Sequence, residues 1–184
     1  MPNYRRPGIK GGIYFFTQVI YDRDAAWLCN DIARTALREA IVKVRKKYPF
    51  SIDAFVLLHD HFHCILTLPE KDGDYATRWR LIKTFVTKQC ADRLTLNKEP
   101  TASRKKRGER NLWQRRYWEH LIRDEKDFSG HCDYIHYNPV KHGLCMAPKN
   151  WEFSSFHRFV KLGIYNENWG SGGSFDISGN FGKE

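Results

Sequence analysis

Acidic side chains are scarce in this chain: 21 Asp and Glu stand against 31 Lys and Arg, giving a formal charge of +10 and a pI near 9.4. That balance points to a polyanionic partner, without separating nucleic acid from a membrane surface or a ribosome. Long apolar runs are missing too. No stretch approaches the roughly 20 residues of a membrane span, and the N-terminus has no secretory apolar core, so no membrane partner is expected. The five cysteines, at positions 29, 64, 90, 132 and 145, never fall in Cys-x-x-Cys spacing. This excludes a zinc knuckle and a disulfide framework and fits reduced thiols in a cytoplasmic protein. Internal repeats and dividing linkers are absent, so the 184 residues read as one domain, long enough to bury a sizeable core.

What the chain does have is an ordered series of periodic segments. Met1–Lys10 is a basic arm carrying Arg5, Arg6 and Lys10, a candidate phosphate clamp. Ile13–Ile20 is β-branched and aromatic and reads as a strand. Asn30 or Asp31 caps a helix reaching Lys47, with Ile32, Ala36, Leu37, Ala40, Ile41 and Val44 on one stripe. Ile52–Leu58 and the apolar run Leu57–Pro69 follow so closely that they predict a hairpin. Tyr75–Leu94 predicts a second helix. Asn97–Asn111 is almost devoid of apolar residues and carries Arg104, Lys105, Lys106, Arg107 and Arg110, so a mobile loop is expected there. Leu112–Ile122, with Arg115 and Arg116, reads as a strand, and Asp124–Asn138 as a helix closed by Pro139. The order predicts an α+β fold of the ferredoxin-like split βαβ plan: one antiparallel sheet, helices on one face, and a C-terminal extension. Residues 163–184, rich in Gly, Ser and Asn, are expected to be a flexible tail.

Two segments carry chemistry. In LLHDHFHCILTLP, alternation sets Phe62, Cys64, Leu66 and Leu68 on one strand face and His61, His63, Ile65 and Thr67 on the other. Paired imidazoles on a stiff strand form half of a metal site; the plainer alternative is a hydrogen-bonded or solvated pair. In the last helix, Asp127, His131, Tyr134 and Asn138 share one face by their spacing. The plainer reading there is a half-buried tyrosine followed by a capping asparagine, which the pre-proline bias pushes towards the helix end.

HFHCILTLPE, DYIHYNPVKHG and the opening NYRRPGIKGGIYFFT together resemble the REP-associated tyrosine transposases, within the wider HUH single-tyrosine transposase family. The likeness runs from the basic arm through Trp151–His157, and implies a single HUH catalytic domain over residues 1–162. It implies that Tyr134 is a nucleophile forming a 5′-phosphotyrosine, with His61, His63 and Asn138 holding a divalent ion, Mg²⁺ or Mn²⁺. Tyr137 is a nearby rival that periodicity alone leaves open. The implied partner is single-stranded or hairpin DNA of repeated extragenic palindromes, and the implied location the nucleoid. The chain would act as a monomer or a homodimer. Candidate DNA contacts are Arg5, Arg6, Lys10, Arg104, Lys105, Lys106, Arg107, Arg115, Arg116 and Lys141. His59 departs from the two-histidine pattern and keeps a rival open, a zinc hydrolase with three histidines and a structural Tyr134. A nucleic-acid-binding module without chemistry is the other rival.

Overall fold

Segments rich in apolar and aromatic residues form the strands Ile13–Val19 (β1), Ser51–Leu57 (β2), His61–Thr67 (β3) and Trp118–Leu121 (β4). In the computed structural model, which describes residues 8–94 and 99–172, they form one antiparallel sheet in the order β2-β3-β1-β4. The histidine strand β3 is therefore internal, joined to β2 by the expected hairpin.

Asp31–Lys47 (α1) begins at Asn30, whose side chain accepts the Ala33 N–H at 2.8 Å. Tyr75–Cys90 (α2) begins at Asp74, which accepts the Thr77 N–H at 2.9 Å. Both caps satisfy amides that a helix start leaves without partners. The two helices cover the sheet face that carries Tyr14, Phe16, Phe62, Cys64 and Leu66. Arg78 of α2 is fully buried beneath them and donates to the carbonyls of Pro49 and Asp74 and to Asp72.

The α+β sheet architecture is as expected, but the helices do not all share a face. Glu125–Lys141 (α4) covers the opposite side, packing Tyr134, Cys132 and Ile135 on Phe15, Ala54, Val56 and Ile65. The reason is visible in β1, where Tyr14 and Phe16 point one way and Phe15 the other, all fully buried. A strand apolar on both faces needs cover on both.

Three further boundaries differ from the sequence reading. α4 runs through Pro139 to Lys141 instead of stopping at Asn138, with the His142 N–H reaching the Asn138 carbonyl at 3.0 Å. Proline has no amide hydrogen to give the Ile135 carbonyl and its ring crowds that carbonyl, a cost set against the burial of Asn138 and Pro139. Only Trp118–Leu121 of the strand expected over 112–122 joins the ladder, with Trp113 forming an isolated bridge to Ile20. The basic stretch expected to be a mobile loop includes a short helix, Ala102–Lys106 (α3), while 95–98 lie outside the described residues.

The C-terminal extension straps the back of α4. Trp151 Nε1 donates to the Leu57 carbonyl at 2.9 Å, and the Ser155 hydroxyl accepts the Phe55 N–H at 2.8 Å. Phe156–Lys161 (α5) follows. Of the expected tail, residues 163–172 are ordered against this layer: Tyr165 donates to Asp133 at 2.6 Å and stacks on Trp169. Residues 173–184 lie outside the described residues.

Candidate active site

The register of β1 against β3 sets Thr17 opposite His63 and Val19 opposite His61. The two imidazoles are essentially buried, edge to face with centroids 4.8 Å apart. Each has its Nδ1 engaged: Asp60 Oδ1 lies 2.7 Å from that of His61, and Thr17 Oγ1 lies 2.8 Å from that of His63. Burial pushes the Asp60 carboxyl up, but its hydrogen bonds with His61 and Arg23 outweigh this and hold it well below the usual carboxylate range. An ionised Asp60 accepts the Nδ1–H of His61, which leaves Nε2 as the nitrogen able to offer a lone pair. That Nε2 is buried and has no hydrogen-bond partner among the described residues.

Helix α4 lies across this pair. The Tyr134 ring meets the His63 ring edge-on, with centroids 5.1 Å apart, and the His142 ring meets that of His61 at 5.2 Å. Asn138 lies midway between Tyr134 and His142 on the same helix face and is fully buried. The Lys141 ammonium donates to the Tyr134 hydroxyl at 3.3 Å. Tyr137, the rival, packs on Trp169 of the C-terminal extension instead.

His59 does not complete a three-histidine site. It lies in the exposed turn before β3 with its ring edge-on to Trp151. The cluster of three His, Asp or Glu donors that does form among the described residues is His120, Asp127 and His131, within 4.8 Å of one another. Asp127 accepts from His120 Nε2 at 2.8 Å and lies 3.1 Å from His131 Nδ1. Burial raises the Asp127 carboxyl, yet these partners and the Arg123 N–H bring it down to about 2. His131 packs on Phe15, which in turn touches both His63 and Tyr134. The helix spacing hinted at Asp127 and His131; His120 joins them only through the pairing of β4.

No family model matches the chain. Two curated relatives do, over nearly their full lengths. One, from Haemophilus influenzae, is provisionally named a REP-associated tyrosine transposase and is 45% identical over 97% of this chain and 99% of the relative. The other, from Escherichia coli K12, bears the same name and is 44% identical over 92% of this chain and 91% of the relative. A solved structure, that of a REP-associated tyrosine transposase bound to a REP hairpin, covers the whole of both chains at 41% identity and a TM-score of 0.78. This chain belongs to the REP-associated tyrosine transposases.

As a member of that family it carries its basic residues in two settings. An open groove of about 990 Å³ runs between α2 and the 104–117 segment. Arg80, Lys83 and Lys88 line one wall, Arg107, Arg110 and Arg115 the other, and Trp79, Trp113 and Tyr117 lie among them. Lys105, Lys106 and Arg116 are exposed nearby, and Lys10 is exposed beside the 71–76 turn. Arg104 differs. It borders the same groove but is buried, its guanidinium 4.1 Å above the Tyr21 ring and donating to the Trp113 carbonyl at 3.2 Å. Arg5 and Arg6 lie outside the described residues. No helix among the described residues is long and apolar enough to cross a membrane.

Proposed function

We propose that this transposase cleaves and rejoins single-stranded DNA beside a REP-type hairpin, with Tyr134 as the nucleophile. The observation that carries the reading is the packing of the Tyr134 ring on His63, in a buried cluster where both imidazoles have their Nδ1 atoms secured. The residues fit a divalent ion: the imidazoles of His61 and His63, the former with a buried Nε2 that has no partner among the described residues, and the amide of Asn138 make a mixed nitrogen and oxygen set. That set suits Mn²⁺ somewhat better than Mg²⁺. When bound, the ion would draw charge from the non-bridging oxygens and the leaving 3′ oxygen.

The chain's own residues supply the rest. The Tyr134 oxygen attacks phosphorus in line as the bond from phosphorus to the 3′ oxygen breaks. The phenolic proton passes to solvent, and the departing 3′ oxygen takes one back. The phosphotyrosine conserves the bond energy, so a second 3′ hydroxyl rejoins the strand without ATP. Tyr134 and both imidazoles come from one chain, which supports cleavage by a monomer.

The groove beside α2 is the proposed phosphate track, with Trp79, Trp113 and Tyr117 as stacking surfaces. It lies on the α1 and α2 side of the sheet, so DNA would pass the β4 edge to reach Tyr134. The solved relative bound to a REP hairpin supports that choice of partner.

The test is incubation with hairpin DNA carrying a single-stranded flank and Mn²⁺, followed by a denaturing gel. The reading expects a covalent adduct in the native chain and none in Tyr134→Phe. Cleavage that survives this substitution would support the hydrolase; binding without cleavage would support the non-catalytic module.

A further inference from the structure

We propose that Lys141 is a catalytic residue of this transfer, its ammonium supporting the Tyr134 oxygen while that oxygen carries negative charge. The inference rests on Tyr134 as the nucleophile. Tyr134 and Lys141 are seven residues apart on α4, two turns along one face. The pairing exists because α4 continues through Pro139; a helix ending at Asn138 would leave Lys141 in a loop. Its Nζ donates to the phenolic oxygen at 3.3 Å and lies 4.9 Å from the ring centroid. Tyr134 is buried while Lys141 is exposed, so the ammonium reaches over the tyrosine from solvent.

A hydrogen bond from a cation strengthens when its acceptor becomes charged. Lys141 therefore favours the charged phenolic oxygen over the neutral one, and that difference is what lowers a barrier. In cleavage the phenolic O–H bond breaks, its proton goes to solvent, the new bond to phosphorus forms, and the 3′ oxygen leaves and is protonated. In rejoining the same oxygen departs from phosphorus with its electron pair, and the ammonium receives it as a hydrogen-bond donor. Lys141 keeps its proton throughout. A simple phosphate contact, the role suggested by charge alone, would instead act on DNA affinity.

The experiment compares the native chain, Lys141→Met, Lys141→Arg and Tyr134→Phe on hairpin DNA with Mn²⁺. Single-turnover adduct formation and resealing are measured at saturating DNA, with affinity from anisotropy and folding from thermal melting. Losing one charge-assisted bond to the reacting oxygen is expected to slow Lys141→Met about 10- to 100-fold in both directions. Hairpin affinity should stay near that of the native chain, and Lys141→Arg should recover most of the rate. Native rates in Lys141→Met, a defect that saturating DNA removes, or an equal loss in Lys141→Arg would each overturn the proposal. An adduct that persists in Tyr134→Phe would remove the nucleophile assignment and this inference with it. If Tyr134→Phe is dead and Lys141→Met is normal, the role of Lys141 fails alone.

Discussion

Thr17 and Asp60 engage Nδ1 of His63 and His61; Asp60 stands in the motif beside its histidine, whereas Thr17 lies far outside it. His61, His63 and Tyr134 were legible because a strand alternates with period two and a helix repeats near 3.6, so short spacings report shared faces. Thr17 lies 46 residues from His63 and meets it only through the β1 to β3 register. No local pattern signals such a pair. Tyr137 illustrates the same limit: spacing left it open beside Tyr134, and packing on Trp169 turns it away. Thr17→Val keeps the side-chain shape and removes the hydroxyl at Nδ1 of His63. Partners of this kind are worth about 10- to 100-fold in metal affinity, and a Mn²⁺ titration of this variant should show a loss in that range. Unchanged affinity would mean that the ring needs no anchor.

Among the elements, α4 departs furthest from what its sequence suggests. Asp124 caps it as its acidic start implies, accepting the Asp127 N–H at 2.8 Å, but Pro139 does not end it. Pro139 was misleading because local preference competes with burial, and the burial of Asn138 and Pro139 wins. The single-face arrangement failed for a related reason: Phe15 of β1 and Ile65 of β3 are both apolar on the α4 side, which needs its own cover. What holds α4 in register is the C-terminal extension, through His136 Nε2 and the Ser155 hydroxyl at 2.8 Å. Burial, helped by Arg158, lowers the His136 imidazole from 6.5 to about 3. Between these values the unfolded chain binds more protons than the folded one, so stability rises with pH across that window. The contribution is complete above pH 6.5 and declines as pH falls towards 3. Urea unfolding of the native chain should weaken on acidification from pH 6.5 to about 4.5, above the range where ordinary carboxylates dominate. His136→Asn should flatten that slope; equal slopes would remove His136 as its source.

For the whole molecule, the charge of +10 foresaw a polyanion but not where it would lie. Composition counts cations without saying which are spent inside. Arg78 is a buried strut and Arg104 a mostly buried one in the groove wall, whereas Arg107 and Arg115 are exposed along the groove. The two groups should behave differently. Arg107→Ala is expected to reduce the slope of log affinity against log salt by about one, with little effect on melting. Arg104→Ala is expected to lower the melting temperature, because it leaves the Trp113 carbonyl and the Tyr21 face without their partner. Equal salt slopes and equal melting for both would contradict the groove as the DNA track. The central claim is covalent, and mass spectrometry of the trapped adduct tests it most directly. Tryptic digestion leaves Tyr134 and Tyr137 on one peptide ending at Lys141, and fragmentation separates them. The account predicts the nucleotide on Tyr134; a nucleotide on Tyr137, or cleaved DNA with no modified peptide, would contradict it.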